Sequence, residues 1–374
     1  MEAHACNPYE ERNQDVLLKY LVTWSVALIQ PHHRLAILLH DGIRGGHGKT
    51  GLSLLRFSEA HMVAVIDRDC PGEDLIALTG IPRAAPIVAS VADALQYKPD
   101  VLAIGIAPTG GALPEAWRQE VKQAIAAGVS IANGLHTRLM DDPELKELLQ
   151  PGQWLWDMRQ EPAGLEIGTG KAKSLPCLRV LTVGTDMAIG KMSTSLALHA
   201  ASQKRGLRSK FIASGQAGLM IAGDGVALDA VRVDFASGAI EQQVLKFGND
   251  HDILHIEGQG SLLNPSSTAT LPLIRGSQPT HLILVHRARQ THINRIPDIP
   301  IPPLREVVAL YEAVAKAGGA FVPVPVAAIA LNTRHLNEVD AQRAIAQVHQ
   351  ETSLPCTDPI RFGAEPLLDS VLKS

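Results

Sequence analysis

A glycine-bounded loop that ends in a lysine is the clearest chemical signal in this sequence of 374 residues. In LRVLTVGTDMAIGKMSTSLALHA, residues 178–200, an apolar run reaches Gly184, and an apolar-periodic segment restarts at Gly190 and Lys191. Backbone N–H groups of such a loop and of the following helical turn converge on one point, where the helix dipole and a lysine favour an anion. The segment predicts a binding site for a nucleotide or another phosphate-bearing ligand.

This loop departs from the standard phosphate-binding pattern at two places. Five residues separate Gly184 from Gly190 where four are usual, and Met192 stands where a Mg²⁺-binding Ser or Thr is expected. The hydroxyl groups of Ser193 and Thr194 follow, but each step along a helix turns the side chain by about 100°. The pattern therefore favours phosphate binding over ATP hydrolysis. The candidates for a metal ligand in this loop are Thr185, Asp186 and Thr194.

A second glycine loop follows another apolar run in HDILHIEGQGSLLNP, residues 251–265. Glu257 ends the run, and Gly258 and Gly260 follow it. An acidic residue at the C-terminal end of a parallel strand lies where open α/β sheets bind their ligands. Two interpretations stay open. Glu257 holds Mg²⁺ directly or through water, or it caps the backbone of its own turn.

A third glycine loop, GIRGGHGKTG at residues 42–51, repeats the spacing of the first. Five residues again separate Gly42 from Gly48 and Lys49, and here Thr50 comes directly after the lysine. The loop is either a contact for a phosphate or pyrophosphate through Lys49, or a glycine-rich turn that opens a helix.

The elements that must position these loops form two series of apolar runs. Runs at 34–40, 61–67 and 100–106 are spaced like the strands of βαβ units, and a second series begins near residue 173. Continuous apolar strands fit parallel sheets buried on both faces, so the predicted fold class is α/β. The predicted organisation is a helical extension over 1–30, a Rossmann-like doubly wound domain over 31–160, and a P-loop NTPase-like α/β domain over 173–374.

Composition narrows the class of partner. The formal net charge is −4 and there is no basic run, which argues against nucleic acid as the main ligand. The four cysteines form no C-x-x-C pair, so we predict free thiols in a reducing, cytoplasmic environment. The apolar run at 20–30 is too short to span a bilayer, so no membrane partner is predicted.

Five longer segments resemble one bacterial and archaeal family, in the same order along the chain. They are IGIAPTGGALP (104–114), NGLHTRLMDDPEL (133–145), TVGTDMAIGKMSTSLAL (182–198), SGQAGLMIAGDGVALDAVRVDFASGAIE (214–241) and IEGQGSLLNP (256–265). The chain is identified as a member of this family, formerly a domain of unknown function, whose characterised members are D-glutamate N-acetyltransferases. The family also carries a methionine after the loop lysine, as Met192 does here.

The C-terminal half has a second, more distant resemblance. GTDMAIGK and EGQGSLLNP are similar to the loops of the dethiobiotin synthetase branch of the phosphate-loop proteins, which share the five-residue spacing. That resemblance implies ATP-dependent activation of a carboxylate or carbamate.

The resemblance to the acetyltransferase family implies that acetyl-CoA donates an acetyl group to the amine of an acidic amino acid, D-glutamate. The N–H groups around Gly110 and Gly111 are then expected to line the ligand site. Arg275 and Arg287 are candidates for the substrate carboxylates, because a guanidinium fork binds a carboxylate through two hydrogen bonds. The alternative interpretation is that both arginines are ordinary, solvent-exposed surface residues.

Acetyl transfer to an amine also needs a base, and three residues are candidates: His136, Asp234 and Glu257. The carboxylates after His136 also fit a helix N-terminus, and Asp234 also fits a helix cap. Two other functions stay open. One is an ATP- and Mg²⁺-dependent ligase or kinase in which Lys191 stabilises the phosphoryl group and Glu257 holds the metal. The other is a non-catalytic nucleotide-binding protein. A homodimer or higher homo-oligomer is the expected assembly.

Overall fold

The computed structural model describes residues 29–106 and 113–373. Nearly all of the predicted helical extension over 1–30 lies outside these ranges, and so do Gly110 and Gly111. Within the described ranges, strands and helices alternate and build two six-stranded parallel sheets. The predicted α/β class is therefore confirmed. None of the helices in the described ranges is both long and apolar enough to cross a membrane.

The first sheet has the strand order β3-β2-β1-β4-β5-β6, and every neighbouring pair is parallel. This is the order of a doubly wound dinucleotide-binding sheet, which binds its ligand where the order reverses, between β1 and β4. Its strands are β1 Arg34–Leu38, β2 His61–Ile66, β3 Ile87–Val88, β4 Val101–Ile104, β5 Ser130–Asn133 and β6 Leu155–Asp157. Its helices are α1 Lys49–Phe57, α2 Leu75–Thr79, α3 Val91–Ala94, α4 Glu115–Ala126 and α5 Pro143–Leu148.

The second sheet has the order β14-β13-β10-β7-β9-β8, again with parallel neighbours. A short antiparallel pair, β11 with β12, stands apart from it. The strands are β7 Leu178–Gly184, β8 Ser209–Ile212, β9 Ile253–Ile256, β10 His281–Arg287, β11 His292–Ile293, β12 Ile296–Pro300, β13 Val326–Asn332 and β14 Cys356–Thr357. The helices are α6 Lys191–Lys204, α7 Gln216–Ala222, α8 Ala236–Phe247, α9 Thr270–Ser277, α10 Leu304–Val314, α11 Glu338–Thr352 and α12 Glu365–Leu372.

One hydrophobic core runs from the first sheet into the second half of the chain. The buried strands β1, β2 and β4 share it with side chains of α6, β8 and α7. These second-half members include Met192, Leu196, Phe211, Leu219 and Met220. The two halves are therefore joined by packed apolar surface as well as by the chain that connects β6 to β7.

Close backbone contact brings α1 against β4 at the point where the strand order reverses. The N–H of Gly51 donates to the carbonyl of Gly105 at 2.7 Å. A Cβ on Gly105 would lie 2.7 Å from the Cα of Gly51, so both positions need a residue without a side chain. This contact holds the start of α1, and the loop before it, over the end of the first sheet.

Candidate functional site

A cavity of about 580 Å³ lies between the two halves of the molecule. Its walls come from the loop and helix after β1, the loop and helix after β7, the start of α7, the loop after β9 and the end of β13. All of these segments follow the C-terminal ends of parallel strands, where ligands of open α/β sheets bind. The three glycine loops singled out in the sequence therefore meet at one place.

The loop between β7 and α6 adopts the conformation that its glycines permit. Gly190 has a φ of +119°, a value that residues with a side chain rarely adopt, and Lys191 is the first residue of α6. The Nζ of Lys191 donates to the carbonyl oxygen of Asp186 at 2.7 Å, which folds the lysine back over its own loop. The loop lines the cavity through Met187, Ala188 and Gly190 to Ser193.

Lys191 is buried, with 6% of its surface exposed, and this changes its charge. Burial and, to a smaller extent, the charge of Lys49 lower its pKa to about 7, although Asp186 and Glu257 act in the opposite direction. The lysine is therefore close to its titration point at neutral pH. A bound anion would favour its charged form.

Glu257 forms the acidic part of the cavity wall. Its Oε2 accepts a hydrogen bond from the N–H of Ser214 at 2.9 Å. A Cβ on Gly218 would lie 2.4 Å from that oxygen, so the glycine leaves room for the carboxylate. Burial raises the pKa of Glu257 to about 7. The N–H groups of Ser214 and Gly215 and the charges of Lys49 and Lys191 act in the opposite direction and lower it. A carboxylate with this pKa can take up and release a proton near neutral pH.

The loop after β9 is fixed against the strand that carries the Lys191 loop. The N–H of Gly258 donates to Thr182 Oγ1 at 2.9 Å, and Ser195 Oγ lies 3.0 Å from the same hydroxyl. A Cβ on Gly258 would lie 1.6 Å from the carbonyl oxygen of Thr182. Glycine is therefore required at this contact, which sets Glu257 beside Lys191.

The loop between β1 and α1 forms the opposite wall. Its Gly45 and Gly46 line the cavity, and Lys49 is the first residue of α1. The carboxylate of Asp67 accepts from the N–H groups of Asp41 and Ile43, each at 3.1 Å, and holds the loop from behind. The segment is therefore a glycine-rich turn that opens a helix, and its lysine also faces the cavity. The phosphate contact through Lys49 stays a prediction.

Of the predicted site residues that the structure describes, seven line the cavity: Lys49, Gly190, Lys191, Ser193, Glu257, Gly258 and Gly260. Three others lie outside the cavity lining, next to the Lys191 loop. The Gly184 carbonyl accepts from the Tyr311 hydroxyl at 2.7 Å, and Thr185 Oγ1 is 2.9 Å from His286 Nδ1. Thr194 is buried within α6. These three residues support the loop and do not line the cavity.

Asp186, a predicted metal ligand, has a different role. Its carboxylate accepts from the amides of Asn264 (2.8 Å) and Gln290 (2.6 Å) and from the N–H groups of Met187 and Asn294 (each 2.7 Å). Burial opposes ionisation of Asp186, but these donors hold its pKa below the usual value. We therefore reassign Asp186 from metal binding to fixing the loop. Among the described lining residues, Glu257 is the one carboxylate that faces the cavity.

Four further predicted residues lie away from the cavity lining. His136 is exposed on the loop after β5, and Asp234 is exposed in a single helical turn before α8. Arg275 donates to the Gly318 carbonyl at 2.9 Å, and Arg287 donates to the Ala188 carbonyl at 3.0 Å. His136 and Asp234 are therefore not placed to act as the base. The hydrogen bond of Arg287 stabilises the Lys191 loop, and that of Arg275 joins α9 to the turn that contains Gly318.

Two arginines that were not singled out in the sequence face the cavity. Arg56 lies seven residues after Lys49 on α1, and Arg334 follows β13. The spacing of seven places Arg56 two helical turns from Lys49 on the same face, and this signal was present in the sequence. In the described lining, four cations face one carboxylate; the cations are Lys49, Arg56, Lys191 and Arg334. Such a cavity favours ligands with several negative charges.

Comparison with known proteins agrees with this architecture. Residues 68–161 match the Rossmann-like N-terminal domain of DUF1611, a domain of unknown function, and residues 166–368 match its P-loop C-terminal domain. The predicted Rossmann-like and P-loop domain types are thereby confirmed. The crystal structure of a DUF1611 family protein from Anabaena variabilis has a TM-score of 0.89 and 64% sequence identity, and covers 92% of this chain and 100% of that one.

Two curated relatives carry the name D-glutamate N-acetyltransferase. The protein from Tritonibacter scottomollicae is 40% identical over 273 residues, which is 72% of this chain and 80% of the relative. The protein from a Pseudoalteromonas species is 34% identical over 282 residues, which is 75% of this chain and 83% of the relative.

Proposed function

This chain belongs to the DUF1611 family, and from that premise we propose that it is an N-acetyltransferase whose acceptor is the amine of D-glutamate. The names of the relatives at 40% and 34% identity support the acceptor and the reaction. The structural observation that carries the proposal is the cavity, in which cationic loops surround one carboxylate with a pKa of about 7. Such a site can hold an anionic donor and remove a proton from an amine.

We propose acetyl-CoA as the acetyl donor. Its phosphate groups match the positive wall formed by Lys191 and Lys49, each at the N-terminus of a helix. Met192 takes the position of the usual Mg²⁺-binding hydroxyl and packs into the core between the two halves. The loop is therefore suited to holding phosphates without hydrolysing them.

The chemistry follows from the position and pKa of Glu257. The D-glutamate ammonium group must lose a proton before its nitrogen can attack, and the Glu257 carboxylate accepts that proton. The nitrogen lone pair then forms a bond to the thioester carbonyl carbon, and the C–S bond breaks to release the CoA thiolate. As the amide forms, its nitrogen loses a second proton, which the thiolate takes up, and Glu257 releases the first proton to solvent. The glycine loops line the cavity, and we propose that their N–H groups stabilise the carbonyl oxygen as it becomes negative.

Calorimetric titration with acetyl-CoA and, separately, with ATP plus Mg²⁺, followed by a thiol-release assay, tests this function. We expect acetyl-CoA to bind and thiol release to depend on D-glutamate, with L-glutamate as the stereochemical control. Binding of ATP with no thiol release would instead support an ATP-dependent ligase or kinase, or a nucleotide-binding protein without catalysis.

The role of Glu257 has its own test. In Glu257→Gln we expect kcat to fall about 10²- to 10⁴-fold and the rise of rate with pH around the Glu257 pKa to disappear. His136→Asn and Asp234→Asn are matched controls, because both residues lie away from the cavity lining, and we expect nearly unchanged rates. If a control variant were as impaired as Glu257→Gln, the assignment of Glu257 as the base would be contradicted.

The sequence also supports two broader parts of the proposal, a cytoplasmic location and a homodimer or higher homo-oligomer. Light scattering on the purified chain measures the assembly directly, and a monomer of 40.0 kDa would contradict it.

A further inference from the structure

Arg56 and Arg334 form a pair of cations at one part of the cavity, which we call the arginine pair. Arg56 comes from the last turn of α1 in the first half, and Arg334 follows β13 in the second half. Both line the cavity. The site is thus shared between the two halves and exists only when they are packed together.

Within the described chain, neither arginine of the pair makes an ion pair. Burial and the charge of Arg334 lower the pKa of Arg56, and Asp358 is the acidic group that opposes them. The Asp358 carboxylate is already engaged by the backbone and hydroxyl of Thr333 and by the N–H groups of Ile360 and Arg361. Two guanidinium groups that repel each other, neither of them in an ion pair among the described residues, are an arrangement that a bound oxyanion would stabilise.

Arg56 is separated from Lys49 along the helix that carries both residues. Arg56 lies seven residues beyond Lys49, which corresponds to about 10 Å along α1. Lys49 and Lys191 begin helices, where phosphate groups bind, whereas Arg56 lies at the opposite end of its helix. Planar guanidinium groups bind carboxylates through two parallel hydrogen bonds. The cavity thus offers two kinds of cationic group, which suit two different anionic groups.

We propose that Arg56 and Arg334 bind a carboxylate of the acidic amino acid and so select a dicarboxylate substrate. This inference rests on the proposed function, because it names the part of the same cavity that recognises the acceptor. Arg275 and Arg287, the arginines chosen from the sequence, donate to backbone carbonyls and do not line the cavity. A phosphate of the donor is the other oxyanion that could occupy the pair, and the experiment separates the two.

The test is steady-state kinetics on Arg56→Gln and Arg334→Gln with each substrate varied in turn. We expect KM for D-glutamate to rise about 10- to 100-fold, as for loss of hydrogen bonds to a charged group, while KM for acetyl-CoA stays within about twofold. The preference for D-glutamate over D-glutamine should fall by a similar factor. A rise in KM for acetyl-CoA alone, or no change in either KM, would overturn the assignment.

Two additions keep the test decisive. Arg208→Gln is the matched control, because Arg208 is exposed, pairs with Asp252 and does not line the cavity. Calorimetry with glutarate, in the presence of free CoA, measures carboxylate binding without acetyl transfer. Suppose that the wild-type protein binds glutarate, that the Arg56 and Arg334 variants do not, and that no acetyl transfer is detected. This result would refute the proposed function and support the carboxylate site. Acetyl transfer that both variants retain unchanged would refute the carboxylate site alone.

Discussion

The two glycine-lysine loops that face each other across the cavity have the same spacing and different chemistry. Each has five residues between its first glycine and the Gly-Lys pair, and each lysine begins a helix. Lys49 is exposed, whereas Lys191 is buried and has a pKa of about 7. Spacing therefore specifies the turn from strand to helix, and burial decides what the lysine can do.

The residues after the two lysines extend this comparison. Thr50 matches the standard pattern, but its Oγ1 lies 3.5 Å from the Gln216 amide of the other half. Met192 departs from the pattern and packs into the shared core. Both positions contribute to packing between the halves, so a hydroxyl in the expected place does not by itself indicate a metal site.

In the comparison of the two loops, the largest expected effect is the loss of Lys191. We expect Lys191→Ala to lower kcat/KM for acetyl-CoA about 10²- to 10³-fold, because a buried cation interacts with an anion more strongly than an exposed one. Steady-state kinetics and calorimetry with acetyl-CoA measure it. An equal loss in Lys49→Ala would remove the distinction between the two loops.

The pH dependence of acetyl-CoA binding tests the same difference between the buried Lys191 and the exposed Lys49. As pH rises through the Lys191 pKa of about 7, the lysine loses its charge, so affinity for CoA should weaken by about tenfold per pH unit above it. Calorimetry in a Glu257→Gln background isolates Lys191 from the carboxylate. Adding Lys49→Ala should move the midpoint to higher pH, because the charge of Lys49 lowers the Lys191 pKa. A flat profile would contradict this account.

Restoring the standard residue after Lys191 tests what Met192 does. We expect Met192→Thr to lower the free energy of unfolding by about 1–3 kcal/mol, because it removes buried apolar volume and adds a hydroxyl to the core. Urea denaturation measures this, and Met192→Leu is the volume-matched control, with an expected loss below about 1.5 kcal/mol. Mg²⁺-dependent ATP hydrolysis gained by Met192→Thr would show that the loop is a modified NTPase site.

The smallest effect should come from Lys49. We expect Lys49→Ala to raise KM for acetyl-CoA about 3- to 10-fold, because solvent screens an exposed lysine. The difference in KM for acetyl-CoA between Lys49→Ala and the wild type should become smaller as salt is added. Steady-state kinetics at increasing ionic strength measures this. An effect independent of salt would indicate that Lys49 becomes enclosed when the donor binds.

Sequence patterns located the main strands and the loops that follow them. The runs at 34–40, 61–67 and 100–106 contain β1, β2 and β4, and Glu257 follows β9 as predicted. These predictions succeed because strand periodicity and glycine turns are local properties. Short strands such as β3 and β14, with two residues each, carry too little periodicity to be found in this way.

The choice among polar residues could not be made from local sequence. His136 follows a strand, as Glu257 does, and Asp234 precedes a helix, but neither residue lines the cavity. His136 follows β5, which lies beyond β4 and away from the point where the strand order reverses. Arg56 lies inside a helix, where a charged residue normally indicates a solvated face. Which polar groups meet is decided by how the two halves pack.

The core that runs through both halves determines how the molecule can be taken apart and how it can move. Separating the halves would expose the apolar surface around Met192 and Leu196 to water, at about 25 cal/mol for each Å². We therefore expect both halves to unfold in one cooperative transition, and a fragment ending near residue 160 to aggregate. We expect the cavity to be a rigid, preformed binding site with no hinge motion between the halves, so that its selectivity depends on its shape and charge.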